Sequence, residues 1–506
     1  MKQTIQAALC AALLFFAPRL QAQPQPQRRP APAKPRLVVM ITVDQLRYDY
    51  LTKFGARFDG GFKRLLGAGA VFTNAHYEQM PTVTAVGHSI LLSGAMPAVS
   101  GIAGNEWFDR ATMRQVTSVS DPAVQPLGAA LPQAASPHRL LVSTLGDEMK
   151  MLGRDKVKVI GVSIKDRSAI LPAGRMADGA FWFDKGSGNF VSSTWYFSGL
   201  PAWVKQFNES RVVDQWKGDR SYGAMSETKT GNDVVEKFAE AAIEGENLGR
   251  NGGTDLLAMS FSANDTVGHA KGPDSPEAQE ITLHTDKVLA RFFAFLDKRI
   301  GMSNVLIVLA ADHGVAALPE LMRQRRMPGG RIPAKTVLDA VTRALNDRYG
   351  EAKWILGATG PEPYLDHDFI RRSKLDLAEV QDVAAAAVRS LPHIARVYTR
   401  EALRRGLAAA DQVGARVQNG FYYQRAADLI IVAEPYWIFE EQGTTHGTPW
   451  NYDSHVPVIF LGPWVKTGRY AVRIQVNDIA PTLADLLQVE PPSGSSGRVL
   501  TEILRR

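Results

Sequence analysis

Residues 36–43 read RLVVMITV, a short apolar and β-branched run that stops at the carboxylate of Asp44. A continuous apolar run of this length is typical of a strand that is buried on both faces of a parallel sheet. Because the run ends abruptly at a charged residue, the pattern predicts that Asp44 lies at the carboxyl end of that strand. This stretch therefore indicates an α/β fold.

Four more runs of the same kind follow along the chain, at 157–164 (VKVIGVSI), 255–260 (DLLAMS), 304–310 (NVLIVLA) and 456–461 (VPVIFL). Helical patterns lie between them. The clearest predicts a helix over 276–300, with Ser275 as its N-cap, Pro276 at its first position and Gly301 beyond its end. Strands alternating with helices predict an α/β domain with a mostly parallel central sheet and helices on both faces.

Two stretches interrupt this alternation, at about 175–230 and about 315–435. The first is rich in aromatic residues and glycine, and the second combines helical patterns with short strands. We expect both to be insertions into one domain that spans 36–506. Long connections of this kind often wall or cover a site at the strand ends.

The amino terminus has the features of an export signal. Lys2 precedes the apolar run of residues 7–17, which is too short to span a bilayer, and Leu20-Gln21-Ala22 offers a small-residue cleavage site. We expect residues 1–22 to be a signal peptide and 23–35, rich in Pro and Gln, to be an extended leader. A retained membrane anchor is the alternative. The mature protein is then periplasmic or secreted, with no membrane attachment.

Composition excludes several classes of protein. The single cysteine among 506 residues lies in the predicted signal, so the mature chain has no disulfide framework and no thiolate zinc site. The formal net charge of +7 falls by two when the signal is removed, and the sequence contains no dense run of Lys and Arg. Net charge alone is weak evidence for nucleic-acid binding, and we expect no nucleic acid as a dedicated partner.

Polar residues capable of binding metal follow several predicted strands. Asp265 and His269 are four residues apart, so both can reach one ion from a single helical turn. Asp312-His313 follows another strand, Asp44 follows the first, and His446 adds an imidazole late in the chain. Functional groups in parallel sheets collect at the carboxyl ends of the strands. Mixed Asp and His sets suit Zn²⁺, with Mn²⁺ or Fe as alternatives, and two such ions suit phosphoryl transfer.

The segment 80–89 (MPTVTAVGHS) is the best source of a nucleophile. It resembles a turn that leads into a short helix over about 85–92. A hydroxyl at a helix N-terminus lies near the positive end of the helix dipole, which favours its alkoxide form. Thr82, Thr84 and Ser89 all qualify from sequence alone, and a plain N-cap remains the alternative interpretation of Thr84.

These motifs resemble the alkaline phosphatase superfamily, from 38–47 (VVMITVDQLR) to 476–487 (VNDIAPTLADLL). The nearest resemblance is to the PafA-type secreted phosphate-monoester hydrolases, which are related to nucleotide pyrophosphatase/phosphodiesterases. The resemblance implies an exported alkaline phosphatase, expected to be monomeric. It also implies two Zn²⁺ ions per chain and a covalent phosphothreonine intermediate. A phosphodiesterase or nucleotide pyrophosphatase on the same scaffold is the alternative.

The resemblance also assigns roles to individual residues. Thr84 matches the nucleophile and also coordinates one zinc; the other ligands of that zinc match Asp44, Asp312 and His313. The ligands of the second zinc match Asp265, His269 and His446, with His455 as a rival for the last. Asn105 matches an amide that binds a phosphate oxygen. Lys165 and Arg167 match the basic pair of the monoesterases, where two cations suit the additional negative charge of a monoester dianion.

Overall fold

All five apolar runs form strands of one sheet in the computed structural model, which describes residues 33–129, 134–153, 156–407 and 410–505. The predicted signal peptide, 1–22, and most of the leader lie outside these residues. The strands are β1 Leu37–Val43, β2 Ala70–His76, β3 Glu106–Asp109, β4 Arg114–Thr117, β5 Pro126–Leu127, β6 Val159–Ser163, β7 Gly179–Phe183, β8 Phe190–Ser193, β9 Asp255–Phe261, β10 Val305–Ala310, β11 Gly330–Arg331, β12 Ile355–Thr359, β13 Glu362–Leu365, β14 Ile394–Thr399, β15 Leu429–Ala433, β16 Trp437–Ile438, β17 His455–Leu461, β18 Gly468–Tyr470 and β19 Ile474–Gln475.

Helices connect and surround these strands. They are α1 Tyr48–Lys53, α2 Gly61–Ala68, α3 Thr84–Ser93, α4 Pro97–Ser100, α5 Leu145–Gly153, α6 Asp166–Ala173, α7 Ala202–Glu209, α8 Asp214–Lys217, α9 Tyr222–Ser226, α10 Thr230–Gly245, α11 Ala263–Lys271, α12 Pro276–Arg299, α13 Pro319–Gln324, α14 Ala334–Tyr349, α15 His367–Arg372, α16 Leu377–Arg389, α17 Arg400–Arg405, α18 Gln412–Gly420, α19 Asn451–Ser454 and α20 Ile479–Leu487. The long helix predicted over 276–300 is α12, and the hydroxyl of Ser275 caps it by accepting from the Ala278 N–H at 3.1 Å. None of the helices in the described part of the chain combines the length and the apolar character that crossing a membrane requires.

The central sheet has the strand order β18-β2-β17-β10-β1-β9-β6-β7-β8-β5, and β19 also pairs with β2. Strands β10, β1, β9, β6 and β7 are parallel neighbours. The predicted α/β fold with a mostly parallel sheet is therefore confirmed, although antiparallel strands flank the parallel centre and make the sheet mixed. The parallel strands are buried along their whole length, which explains why their sequences are continuous apolar runs.

One of the five runs, β17, is antiparallel to its neighbour β10. Its first residues therefore lie at the edge of the sheet where the parallel strands end. The segment that precedes β17 carries His446, so this orientation brings a residue from late in the chain to the same edge as Asp44 and Asp312.

The two interrupting stretches differ in how they relate to the sheet. Residues 175–230 first supply β7 and β8 to the central sheet and then continue as α7 to α9. Residues 315–435 form the small sheets β12–β13 and β14–β15, with α14 and α16 packed together. This second stretch has its own apolar cluster, which includes Val337, Trp354, Val380 and Leu429.

Candidate active site

Four neighbouring parallel strands, β10, β1, β9 and β6, end at one edge of the sheet. Asp44 follows β1 directly, Asp312 comes two residues after β10, and Lys165 comes two residues after β6. Asp265 lies in the first turn of α11, just after β9. The structure therefore brings the polar residues that follow these strands together at one edge of the sheet, as the sequence predicts.

The first group of potential metal ligands is formed by Asp44, Asp312 and His313, all fully buried. His313 Nε2 lies 3.5 Å from Asp44 Oδ1 and 3.4 Å from Asp312 Oδ2. Among the described residues neither carboxylate oxygen has a partner with hydrogen-bond geometry, although His88 Nδ1 lies 3.1 Å from Asp312 Oδ2. Buried carboxylate oxygens without a donor are costly unless a cation meets them, so this donor set fits a divalent metal ion.

The second group is formed by Asp265, His269 and His446. Asp265 Oδ1 lies 3.2 Å from His269 Nε2 and 3.6 Å from His446 Nε2. The imidazole of His446 also stacks on that of His313, with ring centroids 3.5 Å apart, so the two groups are adjacent. His455 lies elsewhere: its ring is stacked between Tyr48 and His76, and its Nε2 bonds to the Thr73 carbonyl. The geometry thus brings His446, and not His455, to this group.

The three imidazoles share one pattern of hydrogen bonding. Nδ1 of His269 donates to the Thr444 carbonyl at 2.7 Å, Nδ1 of His446 to the Thr82 carbonyl at 2.8 Å, and Nδ1 of His313 to its neighbour Gly314 at 2.9 Å. Because a backbone carbonyl can only accept, each proton is on Nδ1. Each Nε2 lone pair is then free to bind a metal, which is the usual arrangement of histidine ligands.

Burial and neighbouring charges set the protonation of these groups. Burial lowers the pKa of His313 to about 3, which outweighs the effect of the Asp312 carboxylate and keeps the imidazole neutral. Burial opposes ionisation of Asp265, but the Lys165 ammonium holds the pKa of that carboxyl well below its usual range. Burial, with repulsion from Asp265 and Asp312, raises the pKa of Asp44. Metals bind neutral imidazole and ionised carboxylate, so the lowered pKa values of His313 and Asp265 favour binding. The raised pKa of Asp44 favours its protonated form, and a bound cation would be needed to keep that carboxyl ionised.

Lys165 connects the two groups. Its ammonium lies 2.5 Å from Asp44 Oδ2 and 2.7 Å from Asp265 Oδ2, and so donates to one carboxylate of each group. Gln45 makes a second connection, because its backbone N–H donates to Asp312 Oδ1 at 3.1 Å and its side-chain amide donates to Asp265 Oδ1 at 2.6 Å. Protein donors therefore hold Asp44 Oδ2, Asp312 Oδ1 and both oxygens of Asp265.

Thr84 is the first residue of α3, and its side chain does not cap that helix. Its hydroxyl is buried and lies 3.5 Å from His313 Nε2, at the edge of the first group. The two rival hydroxyls bond elsewhere: Thr82 donates to the Thr448 carbonyl and Ser89 to the Val86 carbonyl, each at 2.8 Å. Of these three, only Thr84 is placed beside the metal-binding residues.

Asn105 and Arg167 complete the set of predicted site residues. The Asn105 carbonyl oxygen accepts from the Ala85 N–H at 2.8 Å, which fixes the side chain beside the start of α3 and leaves its NH₂ as the donating end. Arg167 follows Lys165 at the start of α6, and its buried Nε has no hydrogen-bond partner among the described residues. Within the described part of the chain, its guanidinium makes one distant ion pair, at 3.9 Å from Asp166.

Two residues of the site were not predicted from the sequence. Gln45 follows Asp44 directly, and its backbone has a positive φ of 64°, which turns the chain sharply at the strand end. His88 lies one helical turn after Thr84; its Nδ1 donates to the Thr84 carbonyl at 2.9 Å and lies 3.1 Å from Asp312 Oδ2. The i, i+4 spacing from Thr84 was the available signal for His88.

Comparison with known proteins shows which family the chain resembles. Residues 38–456 match the family described as type I phosphodiesterase / nucleotide pyrophosphatase. Alkaline phosphatase PafA from Elizabethkingia meningoseptica is 34% identical, covering 95% of this chain and 96% of that protein. Alkaline phosphatase PhoV from Synechococcus elongatus is 35% identical, covering 97% of this chain and 96% of that protein.

Solved structures give the same result. The crystal structure of wild-type PafA superposes with a TM-score of 0.88 at 33% identity, covering 94% of this chain and 99% of that chain. Murine ectonucleotide pyrophosphatase / phosphodiesterase 5 has a TM-score of 0.52 at 16% identity, covering 91% of this chain and 96% of that chain, so it shares the fold. The chain therefore belongs to the type I phosphodiesterase / nucleotide pyrophosphatase family.

Proposed function

We propose that this protein is an exported, zinc-dependent alkaline phosphatase that hydrolyses phosphate monoesters through a covalent phosphothreonine at Thr84. The observation that carries the proposal is the position of the Thr84 hydroxyl, which is buried and lies 3.5 Å from His313 Nε2, beside two adjacent carboxylate and imidazole groups. Relatives named alkaline phosphatase, similar over nearly the whole chain, support the phosphatase assignment. Export rests on the sequence features of residues 1–22.

Seven side chains would hold two Zn²⁺ ions, in two sets that share the site. One set is Asp44, Thr84, Asp312 and His313, and the other is Asp265, His269 and His446. When bound, the ions lower the pKa of coordinated oxygens and stabilise negative charge on phosphoryl oxygens. The nitrogen and carboxylate ligands are the types that Zn²⁺ prefers, and the orphan oxygens of Asp44 and Asp312 support an ion at the first set.

Thr84 Oγ1, after giving its proton to water, would attack phosphorus and form a new P–O bond. The P–O bond to the leaving group breaks, and the leaving oxygen keeps the electron pair and takes a proton from water. Water then attacks the phosphothreonine, which releases phosphate and restores the hydroxyl. The position of Thr84 at the N-terminus of α3 favours the attacking alkoxide, because helix N-termini stabilise negative charge. His88 holds the Thr84 backbone through its bond to the Thr84 carbonyl.

Three side chains would bind the transferring phosphoryl group. Asn105 offers its NH₂ group, since its carbonyl oxygen is already bonded to Ala85. Arg167 offers a guanidinium whose one ion pair is distant, and a guanidinium can bind two oxygens at once. Lys165 provides a further positive charge next to Asp44 and Asp265. A monoester dianion carries one more negative charge than a diester, and two nearby cations favour it.

Diester or pyrophosphate hydrolysis is the second candidate, because the family as a whole is described by those activities. The pair Lys165 and Arg167 favours monoesters. One experiment separates the two: hydrolysis of 4-nitrophenyl phosphate and bis(4-nitrophenyl) phosphate by the same zinc-loaded preparation, with its zinc content measured. We expect higher kcat/KM on the monoester and two zinc ions per chain. Higher kcat/KM on the diester would contradict the proposal.

A further inference from the structure

A cavity of about 530 Å³ opens from the proposed active site toward the 315–435 stretch. Its inner end is lined by Asn105, His269 and His446, so it begins at the groups proposed to act on phosphate. Cavities of roughly 300–1,000 Å³ are those that bind small organic molecules, and a phosphoryl group alone fills only a small part of one. The cavity therefore has room for the organic part of a substrate.

The walls of this cavity are mainly apolar. Val83 directly precedes Thr84, and Trp107 lies two residues after Asn105. Phe421, Ile430 and Val432 come from the 315–435 stretch. Several segments of that stretch contribute, among them the β12–β13 hairpin, the end of α18 and the strand β15. An apolar wall stabilises an apolar ligand by removing both surfaces from water.

The charged residues of the cavity are unfavourable for an anionic ligand. Two exposed carboxylates line it, Glu106 and Glu440, together with one cation, Arg425. One nitrogen of the Arg425 guanidinium, Nη1, donates to the carbonyls of Gly101 and Arg139, and the guanidinium lies 4.9 Å from the ring of Trp107.

A third carboxyl group, that of Glu362, also lines the cavity, and Oε1 accepts from the Ile431 N–H at 3.3 Å. Burial raises the pKa of Glu362 to about 8, which favours its uncharged form near neutral pH. Among the described residues, the lining thus carries two exposed carboxylates against one cation, and this excess of negative charge disfavours a second anionic group of a substrate.

We propose that this cavity binds the leaving group and selects phosphate monoesters of uncharged, bulky apolar or aromatic alcohols and phenols over those of small or anionic alcohols. The inference rests on the proposed function, since it concerns the substrate class of that same site. It assigns a role to the 315–435 stretch: its apolar side chains form the pocket for the leaving group.

The test compares substrates whose alcohols have similar acidity, using the zinc-loaded full-length enzyme. We expect kcat/KM for 3-phenylpropyl phosphate to exceed that for ethyl phosphate by at least about tenfold. We also expect kcat/KM for 4-methylpentyl phosphate to exceed that for its carboxylate isostere, 3-carboxypropyl phosphate, by a similar factor. Equal kcat/KM across the four would overturn the inference and leave the proposed function intact, whereas no hydrolysis of any monoester would overturn the proposed function itself.

A matched pair of variants tests the wall directly. Ile430→Trp fills the cavity, while Ile394→Trp changes a partly buried isoleucine of the same two-stranded sheet that does not line it. We expect only Ile430→Trp to reduce the preference for 3-phenylpropyl phosphate, with kcat/KM for ethyl phosphate changed less than threefold. An unchanged preference in folded Ile430→Trp would contradict the inference.

Binding provides a measure that is independent of turnover. Phosphonates keep a C–P bond that this reaction does not break, so the difference in affinity between two phosphonates reports on how their organic groups bind. By calorimetry, wild-type enzyme should bind 3-phenylpropylphosphonate at least about tenfold more tightly than ethylphosphonate. Equal affinities would overturn the inference even if Ile430→Trp failed to fold.

Discussion

Replacing Gly87 by alanine tests how tightly helix α3 is held against the proposed metal ligands. A Cβ built at Gly87 would lie 2.1 Å from the Asp312 carbonyl oxygen and 2.7 Å from the Asp312 Cα. Ordinary contacts between heavy atoms begin near about 3.5 Å, so α3 and the Asp312 segment must separate by about 1 Å. That movement would carry Thr84, three residues earlier, away from His313. A misplacement of about 1 Å can cost about 10²-fold in rate, and we expect kcat for 4-nitrophenyl phosphate to fall by at least that factor.

Gly67→Ala is the matched control, because Gly67 also lies in a helix and a Cβ there meets nothing within 4 Å. We expect that variant to keep wild-type kcat and to be more stable by about 0.5–1 kcal/mol, since alanine favours a helix over glycine. Thermal unfolding and zinc content are measured beside activity for both. Wild-type kcat in Gly87→Ala would refute the claim that close contact between α3 and Asp312 positions the nucleophile.

Three further predictions concern charge and metal. Lys165→Ala with Arg167→Ala should lower kcat/KM for the monoester by at least about 10²-fold more than for the diester, because a monoester carries the additional charge; equal losses would contradict that role. Dialysis against a chelator should abolish hydrolysis and added Zn²⁺ should restore it, whereas full activity in zinc-depleted protein would exclude the metal assignment. Glu362 has its pKa raised from 4.5 to about 8 by burial, so its contribution to stability is present below about pH 4.5 and is lost as the pH rises toward 8. Urea unfolding should therefore show a smaller loss of stability between pH 5 and pH 8 in Glu362→Gln than in wild type, and identical losses would contradict the raised pKa.

The strands of the parallel centre could be predicted because their burial on both faces leaves a local mark in the sequence. Residues 36–43, 157–164, 255–260 and 304–310 are continuous apolar runs that each end near a polar residue, and the structure confirms all four as strands. The enzyme class predicted from the motifs, phosphoric monoester hydrolase, is confirmed by alkaline phosphatase relatives over nearly the full chain. The antiparallel direction of β17 was not predicted, because strand direction depends on the path of the chain and not on the composition of the strand.

The contacts of the site could be predicted less completely. The sequence marks Lys165 as a basic residue after a strand, but its bonds to Asp44 and Asp265 join residues 121 and 100 positions apart. Gln45 is a neutral residue with no motif, and its role in holding Asp265 depends on a contact across 220 positions. Such contacts leave no local pattern. The roles given to Thr84 and the other site residues remain predictions that the geometry supports.

The central claim is that Thr84 is the nucleophile, and the turnover of Thr84→Ala tests it most directly. The variant is compared with wild type and with Thr82→Ala, whose hydroxyl bonds to the Thr448 carbonyl outside the metal-binding groups. All three proteins are zinc-loaded. Their zinc content and their hydrolysis of 4-nitrophenyl phosphate are both measured. Thr84→Ala should lose at least about 10³-fold in kcat/KM while Thr82→Ala stays within about tenfold of wild type. Near-normal kcat/KM in Thr84→Ala would contradict the assignment.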